Sequence, residues 1–459
     1  MKKIIHTTIF LIIGVLIIYL ISKDSESRAS WIVSGLLTVV LLAILPVKYF
    51  LYFFIGSLFF DRYIWEFLNF SIRPSQIMGI LLFLKWLFAV KHKRSIFSNI
   101  LFIPLVLFIV ASLISSIFNS GDLSRNLQLV LLSVVFFCPI FPVVSLLGNQ
   151  KNYEKILKFY ILLGAAMAVY GLIAYILFVM FNINIGVINS ELGGRIVGTQ
   201  HNAGDHFGLQ MMFFVIIMFN YLHVRSIFIS TRKIKLLLFI FIPAMMLSFK
   251  RIAFIGVIIS FLSSWLVLCS QHKMMVFAKK FLGLITVGSI LVILFNLLTV
   301  KENVIIDREI VTRRYSKDIN VQTHSMQSRL NNWEIGLEIY KEHPLIGNGP
   351  GTAEGGFWVS NVLIRTMADT GILGLLAVIF LLVRIFMLGF RAVRFSNKVN
   401  AAAINVHVVG MLSAFISLVF VNMVDDQFLL GMFWFHISLI VATFNLAIKL
   451  GTQTERQIV

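Results

Sequence analysis

A helix needs roughly 17–25 residues to cross a hydrocarbon layer, and apolar blocks of about that length recur along this chain, 281–300 among them. Read as spans, they place helices near 4–22, 31–47, 48–60, 74–90, 99–117, 126–147, 156–181, 205–223, 236–249, 252–270, 281–300, 360–384, 401–421 and 427–449. The spans at 48–60 and 236–249 are the shortest. Hydrocarbon offers backbone groups no hydrogen-bond partner, so only helices and closed barrels cross it. A barrel would show short segments of alternating apolar and polar residues; these blocks are near-continuous. The expected fold is therefore all-α, a polytopic membrane protein with about 14 transmembrane helices and one large external loop.

That loop, 301–359, is the only sizeable hydrophilic segment, and it divides the chain. Residues 1–300 carry the first eleven spans and 360–459 the last three. Within the loop, 301–320 is a mixed-charge stretch without a clear period. From 325 to 343 the pattern turns helical, with Arg329, Trp333, Leu337 and Tyr340 at three- and four-residue spacings. Pro344 disfavours helix at the residue before it, and Gly347-Asn348-Gly349-Pro350-Gly351 then predicts a turn. No internal repeat interrupts this order.

Composition sharpens the assignment. Of 459 residues, 59% are apolar and only 13% charged, with a mean hydropathy of +0.93; an ordinary soluble domain is about half apolar and a quarter charged. Net charge is +19. In a soluble chain that would suggest nucleic acid, but here the basic residues sit mostly in short loops between spans, so phosphorylated lipid is the expected partner and nucleic acid is not. With the N-terminus inside, the inner loops are strongly basic and nearly free of acids, while the outer loops are mixed. Met1-Lys2-Lys3 and the apolar run after it read as a first span, because no small-residue cleavage site follows Leu20. Cys138 and Cys269 both fall in apolar stretches, which predicts neither a disulfide framework nor a thiolate metal site.

Candidate chemistry lies where arginine runs against the charge rule. Arg73, Arg125, Arg195, Arg251 and Arg365 fall at the expected outer ends of spans, and Arg329 lies in the outer loop. Arg near hydrocarbon is costly and marks a pathway, partner or ligand, and its fixed fork of donors suits phosphate oxygens. For any one of them, snorkelling to headgroups or pairing with an acid is the simpler reading. The 193–202 loop, which carries Arg195, brings glycines and polar side chains to a span entrance, but it follows no predicted strand, so a nucleotide-binding reading fails. Lys250-Arg251 at a tight hairpin must face headgroups or a buried anion. Asn361, Arg365 and Asp369 recur every four residues and share one helix face, which should turn toward the bundle interior or a water-filled cavity. Asp425-Asp426, in a short outer turn, read as solvated.

From Arg329 to Gly374 the chain reads RLNNWEIGLEIYKEHPLIGNGPGTAEGGFWVSNVLIRTMADTGILG. An Arg with a Trp one turn later, then Pro-Leu-x-Gly-x-Gly, an Asn at a span entrance and an acid-x-Gly resemble the O-antigen polymerase and ligase superfamily of bacterial membrane glycosyltransferases. Gly194-Arg195 with Gly198, and 248–251, agree more weakly. The resemblance implies transfer of a glycan from an undecaprenyl-pyrophosphate donor to a hydroxyl at the periplasmic face of the inner membrane, without metal or cofactor. It implies polymerisation of repeat units, with ligation to lipid A core or transport of the lipid-linked glycan as alternatives. On that reading Arg195, Arg251 and Arg329 bind the pyrophosphate, and Asn361 and Asp369 orient groups in the cavity. Arg365, Trp333, His343, Gly347 and Gly349 line the substrate. Glu334, Glu338, His343 and Asp369 are unranked candidates for a base. The lipid bilayer, a chain-length regulator and a flippase would be partners. Many relatives carry His immediately before the Asn, where this chain has Ser360, and that departure weakens the ligase alternative.

Overall fold

The computed structural model describes residues 45–60, 65–67, 70–89, 99–119, 121–185, 188–189, 195–196, 205–223, 229–248, 250–269, 318–352, 359–398, 402–426, 428 and 430–458. Within them the chain folds as helices. In order these are α1 (Val47–Ser57), α2 (Pro74–Ala89), α3 (Phe102–Asn119), α4 (Leu123–Phe137), α5 (Ile140–Leu146), α6 (Gln150–Phe181), α7 (Asp205–His223), α8 (Thr231–Leu247), α9 (Arg251–Cys269), α10 (Asp318–Glu342), α11 (Val362–Lys398), α12 (Ala402–Asn422) and α13 (Gly431–Ile458). A helix occupies each expected span that falls in the described residues; 4–22, 281–300 and most of 31–47 lie outside them. Five segments are long and apolar enough to cross a membrane: Phe102–Asn119, Leu123–Leu146, Gln150–Phe181, Val362–Ser396 and Gly431–Gln453. That is the number carried by the described residues, against the expected count of about 14.

Several details differ from the sequence reading. The span at 126–147 begins at Leu123 and is interrupted at Cys138-Pro139, where α4 ends and α5 begins. Two short antiparallel hairpins occur, β1 (Trp65–Phe67) with β2 (Phe70–Ile72) and β3 (Ile188–Asn189) with β4 (Arg195–Ile196). Strands of two or three residues are too short to print a period-two pattern, so nothing in the sequence announced them. The loop helix α10 starts at Asp318, earlier than 325, and stops at Glu342, just ahead of Pro344 as expected.

The centre of the bundle is α7, α12 and α13. Every side chain from Phe207 to Tyr221 is buried, as a helix apolar all round demands. By contrast α3, α4, α6, α9 and α11 carry exposed Phe118, Leu131, Leu162, Leu266 and Met387, the surface a lipid-facing helix presents. Buried polar pairs pin the helices against each other. Tyr160 meets His436 Nε2 at 2.6 Å, Tyr153 meets Thr443 at 2.7 Å, and Tyr221 meets His407. These join α6 to α13 and α7 to α12.

The long helix α11 breaks at Gly371 (φ 64°, ψ −161°). The break takes backbone groups out of the helix ladder, and the segment after Pro344 takes them up. Asn348 and Gly349 N–H groups donate to the Ala368 and Asp369 carbonyls at 3.0 and 2.9 Å, and Ile372 N–H donates to the Pro344 carbonyl at 2.9 Å. Ser115 of α3 completes the joint, donating to the Asp369 carbonyl at 2.6 Å and accepting from Gly349 N–H at 2.8 Å. Two main chains thus lie in direct contact. A Cβ on Gly347 (φ 75°) would sit 2.4 Å from Thr370 N, and one on Gly371 would sit 2.5 Å from Leu345 C. Only glycine accommodates both the positive φ and the approach.

Candidate functional site

The end of the bundle that holds this joint gathers the charged residues. Asn361 precedes α11, and its Oδ1 accepts from Leu363 N–H at 2.9 Å and Ile364 N–H at 3.2 Å, a helix cap. One turn on, the Arg365 guanidinium is buried between two carboxylates. Its Nη1 donates to Asp426 Oδ2 at 2.7 Å, and its Nε lies 3.5 Å from Asp369 Oδ2. Asp426 Oδ1 also accepts from Phe428 N–H at 2.9 Å. So Asp426 is a buried counter-ion, not the solvated turn residue its position suggested.

The same turn, between α12 and α13, draws in two further cations. Lys250 Nζ lies 2.8 Å from Asp425 Oδ2, with both side chains largely buried. Arg329 Nη1 donates to the Val424 carbonyl at 3.1 Å. Three consecutive residues, Val424, Asp425 and Asp426, therefore collect cations from α10, from the α8–α9 hairpin and from α11. Lys250 reaches Asp425 because the hairpin packs tightly on α7: a Cβ on Gly208 would sit 2.5 Å from Ser248 Oγ and 2.7 Å from Lys250 Cβ. Lys250 and Arg251 part company here, since Lys250 is buried and Arg251 is exposed at the start of α9.

Other residues singled out in the sequence take different places. Arg195 lies in β4, paired with Asn189; its side chain lies outside the described residues. Arg125 is exposed near the start of α4, and Arg73 is half-buried just before α2. Trp333 Nε1 donates to Ser360 Oγ at 3.2 Å and, with Ile339, packs on Val359 and Ala368, which docks α10 on the entrance to α11. His343 is exposed, and its carbonyl accepts from Gly347 N–H at 2.8 Å. Gly347 and Gly349 are committed to the α11 joint, so packing accounts for the Pro-Leu-x-Gly-x-Gly run. Asn361 caps a helix and is absent from the cavity lining, so of the expected polar face only Arg365 and Asp369 come together there. Among the described residues no cluster of His, Cys, Asp and Glu could hold a metal ion.

Lys250, Arg251, Arg329, Arg365 and Asp369 all fall in the stretch from α8 through the Gly371 joint. Residues 236–379 match the family model described as O-antigen ligase. That matched segment is consistent with the O-antigen polymerase and ligase superfamily. No curated protein matches the chain. The family segment supplies the cations and Asp369, while the Asp425-Asp426 turn that gathers them lies beyond its end. The apolar helices, together with the match to the O-antigen ligase model, indicate a membrane protein.

Sequence reasoning missed Asp425 and Asp426 because a two-acid turn between spans is ordinarily wet. A signal was there: both acids abut an apolar run, at the expected outer end of the bundle where Lys250 and Arg365 need counter-charges.

Proposed function

We propose that this protein is a membrane glycosyltransferase that polymerises repeat units carried on undecaprenyl pyrophosphate, with its site facing the periplasm. The observation that carries the reading is the convergence of Arg329, Lys250 and Arg365 on the α12–α13 turn, within and beside the O-antigen ligase segment. Glycosyl transfer from such a donor releases a pyrophosphate, and guanidinium donors oriented at its oxygens stabilise the developing charge without a metal. Arg251 is exposed and Arg329 half-buried at this end of the bundle, so both can be reached from solvent. The sequence pattern adds Arg195 as the third member of the set. Asp369 lies below, in the cavity.

The experiment is glycan chain length by gel, in cells lacking the native copy and complemented with variants. Arg195→Ala, Arg251→Ala and Arg329→Ala should each abolish long chains while the protein still accumulates in the membrane. Arg→Lys at the same positions should be partly active, because one point charge replaces two aligned donors. Normal chain length from all three Ala variants would sink the assignment. A second reading, ligation of finished glycan to lipid A core, is favoured by the description of the matched family. The deletion strain separates the two. A polymerase leaves lipid core capped with single repeat units, and a ligase leaves polymer stranded on its carrier lipid.

A further inference from the structure

Beside Arg365, between α3, α4, the Pro350-Gly351 turn and α11, lies a cavity of about 40 Å³, room for two or three waters. Four hydroxyls line it, and each spends its only proton on its own helix. Ser112 donates to the Phe108 carbonyl at 2.9 Å and Ser133 to the Leu129 carbonyl at 3.0 Å. Thr366 donates to the Val362 carbonyl at 2.6 Å and Thr370 to the Thr366 carbonyl at 2.8 Å. A hydroxyl has one donor and two lone pairs, so toward the cavity these four can only accept.

The charges point the same way. Among the described residues, one guanidinium, Arg365, and two carboxylates, Asp369 and Asp426, line the cavity. Asp426 holds Arg365 at 2.7 Å, while Asp369 stands off at 3.5 Å. Asp426 is thus the closer counter-ion of Arg365, and Asp369 the more distant. Of the cations on neighbouring elements, Lys250 is matched by Asp425, and Arg125 is exposed, its Nε 3.9 Å from where a Cβ on Gly351 would sit. A phosphate brought here would meet the lone pairs of four hydroxyls and two carboxylates. A sugar hydroxyl brings the donor that those six groups lack.

We infer that this cavity receives a hydroxyl of the acceptor glycan and that Asp369 takes its proton, while the pyrophosphate stays outside on the accessible arginines. This rests on the donor–acceptor reading above. The acceptor O–H bond breaks and its proton passes to the Asp369 carboxylate. The oxygen's electron pair forms the new bond to the anomeric carbon, and the bond from that carbon to the phosphate oxygen breaks, its electrons leaving with the pyrophosphate. Of the four base candidates in the sequence, Glu334, Glu338 and His343 are exposed, and only Asp369 lines the cavity. Ser360, where many relatives have His, is occupied in accepting the Trp333 N–H.

The test uses the full-length protein in nanodiscs and two probes, undecaprenyl pyrophosphate without glycan and methyl glucoside as a neutral hydroxyl donor. Both should raise the thermal midpoint of the wild type. Asp369→Asn and Thr366→Val should keep the pyrophosphate shift and lose most of the glucoside shift, and Arg329→Ala should do the reverse. In cells Asp369→Asn should cut chain extension about 100-fold, the low end for a lost general base, with partial rescue by Asp369→Glu. Thr366→Val leaves every charge in place, so the cavity remains testable if the Asp369 variants fail to fold. Loss of the pyrophosphate shift in Asp369→Asn, no glucoside shift in the wild type, or normal chain length from Asp369→Asn would each overturn the inference. A glucoside shift with no pyrophosphate shift in the wild type would sink the lipid-linked donor instead, and leave the cavity assignment standing.

Discussion

Replacing Asp426 with Asn tests the α12–α13 turn as an electrostatic hub. The side chains of Arg365 and Asp426 are 8% and 1% exposed, and their pair is 2.7 Å long. Removing one partner of a buried pair strands the other charge, at about 3–5 kcal/mol. Two features pull the cost toward the lower figure. Asn keeps an oxygen to accept from Phe428 N–H, and Asp369 stands 3.5 Å from Arg365 as a partial substitute. The expectation is about 3 kcal/mol, roughly 150-fold in the folding equilibrium. The assay is denaturant unfolding of the purified protein in micelles, followed by tryptophan fluorescence. A double-mutant cycle with Arg365→Met and Asp426→Leu isolates the pair. Arg365→Met leaves two carboxylates without their cation and Asp426→Leu leaves Arg365 only the more distant Asp369, whereas the double variant leaves Asp369 alone, so the cycle should show coupling of about 3 kcal/mol. A single-variant cost below about 0.5 kcal/mol, within the range of ordinary surface substitutions, or an additive cycle, would refute the hub.

Gly347→Ala should destabilise by more than about 2 kcal/mol, from a left-handed φ and a Cβ pressed on the α11 backbone; membrane accumulation reads it, with Gly56→Ala, where nothing lies within 4 Å, as the control. Asn361→Ala should cost about 1 kcal/mol through the lost cap and keep chain extension at low temperature, with Asn361→Asp restoring stability; lost activity at unchanged stability would place Asn361 against substrate. Ser360→Ala should retain most chain extension, since the hydroxyl serves Trp333, and a loss as severe as that from an Arg substitution would require a different base. A topology reporter fused near Lys398 should behave as cytoplasmic and one near Asp318 as external, following the charge bias; the reverse would turn the arginines to the wrong compartment.

The helices were legible in the sequence because hydrocarbon leaves the backbone no alternative. Apolar block length alone located α2, α7 and α9 to within a residue or so. Pro344 announced the end of α10, and the Arg-Trp, Pro-Leu-x-Gly-x-Gly and acid-x-Gly spacings announced the family. Those signals are local, and one stretch of chain contains them whole. What the spacing could not say is what each motif is for. Pro-Leu-x-Gly-x-Gly and Asp-x-Gly read as separate loop and helix features, and only the fold lays one backbone on the other at Gly347 and Gly371. Hydropathy likewise ranked α7 with its neighbours, though α7 is wholly enclosed and α11 faces outward along much of its length.

Charge pairing was the least legible, because a counter-ion is a partner in space. Arg365 has Asp369 four residues away on the same helix face, yet its closer partner is Asp426, 61 residues on. Lys250 and Arg251 are adjacent and chemically alike. The packing of the hairpin on Gly208 buries one against Asp425 and leaves the other exposed. Sequence by itself determined that this chain is a helical membrane protein with cations at one end. Tertiary structure decided which of them are buried against a carboxylate and which stay exposed. The physical reason is that burial removes solvent screening from a charge, and only the fold selects which charges are buried.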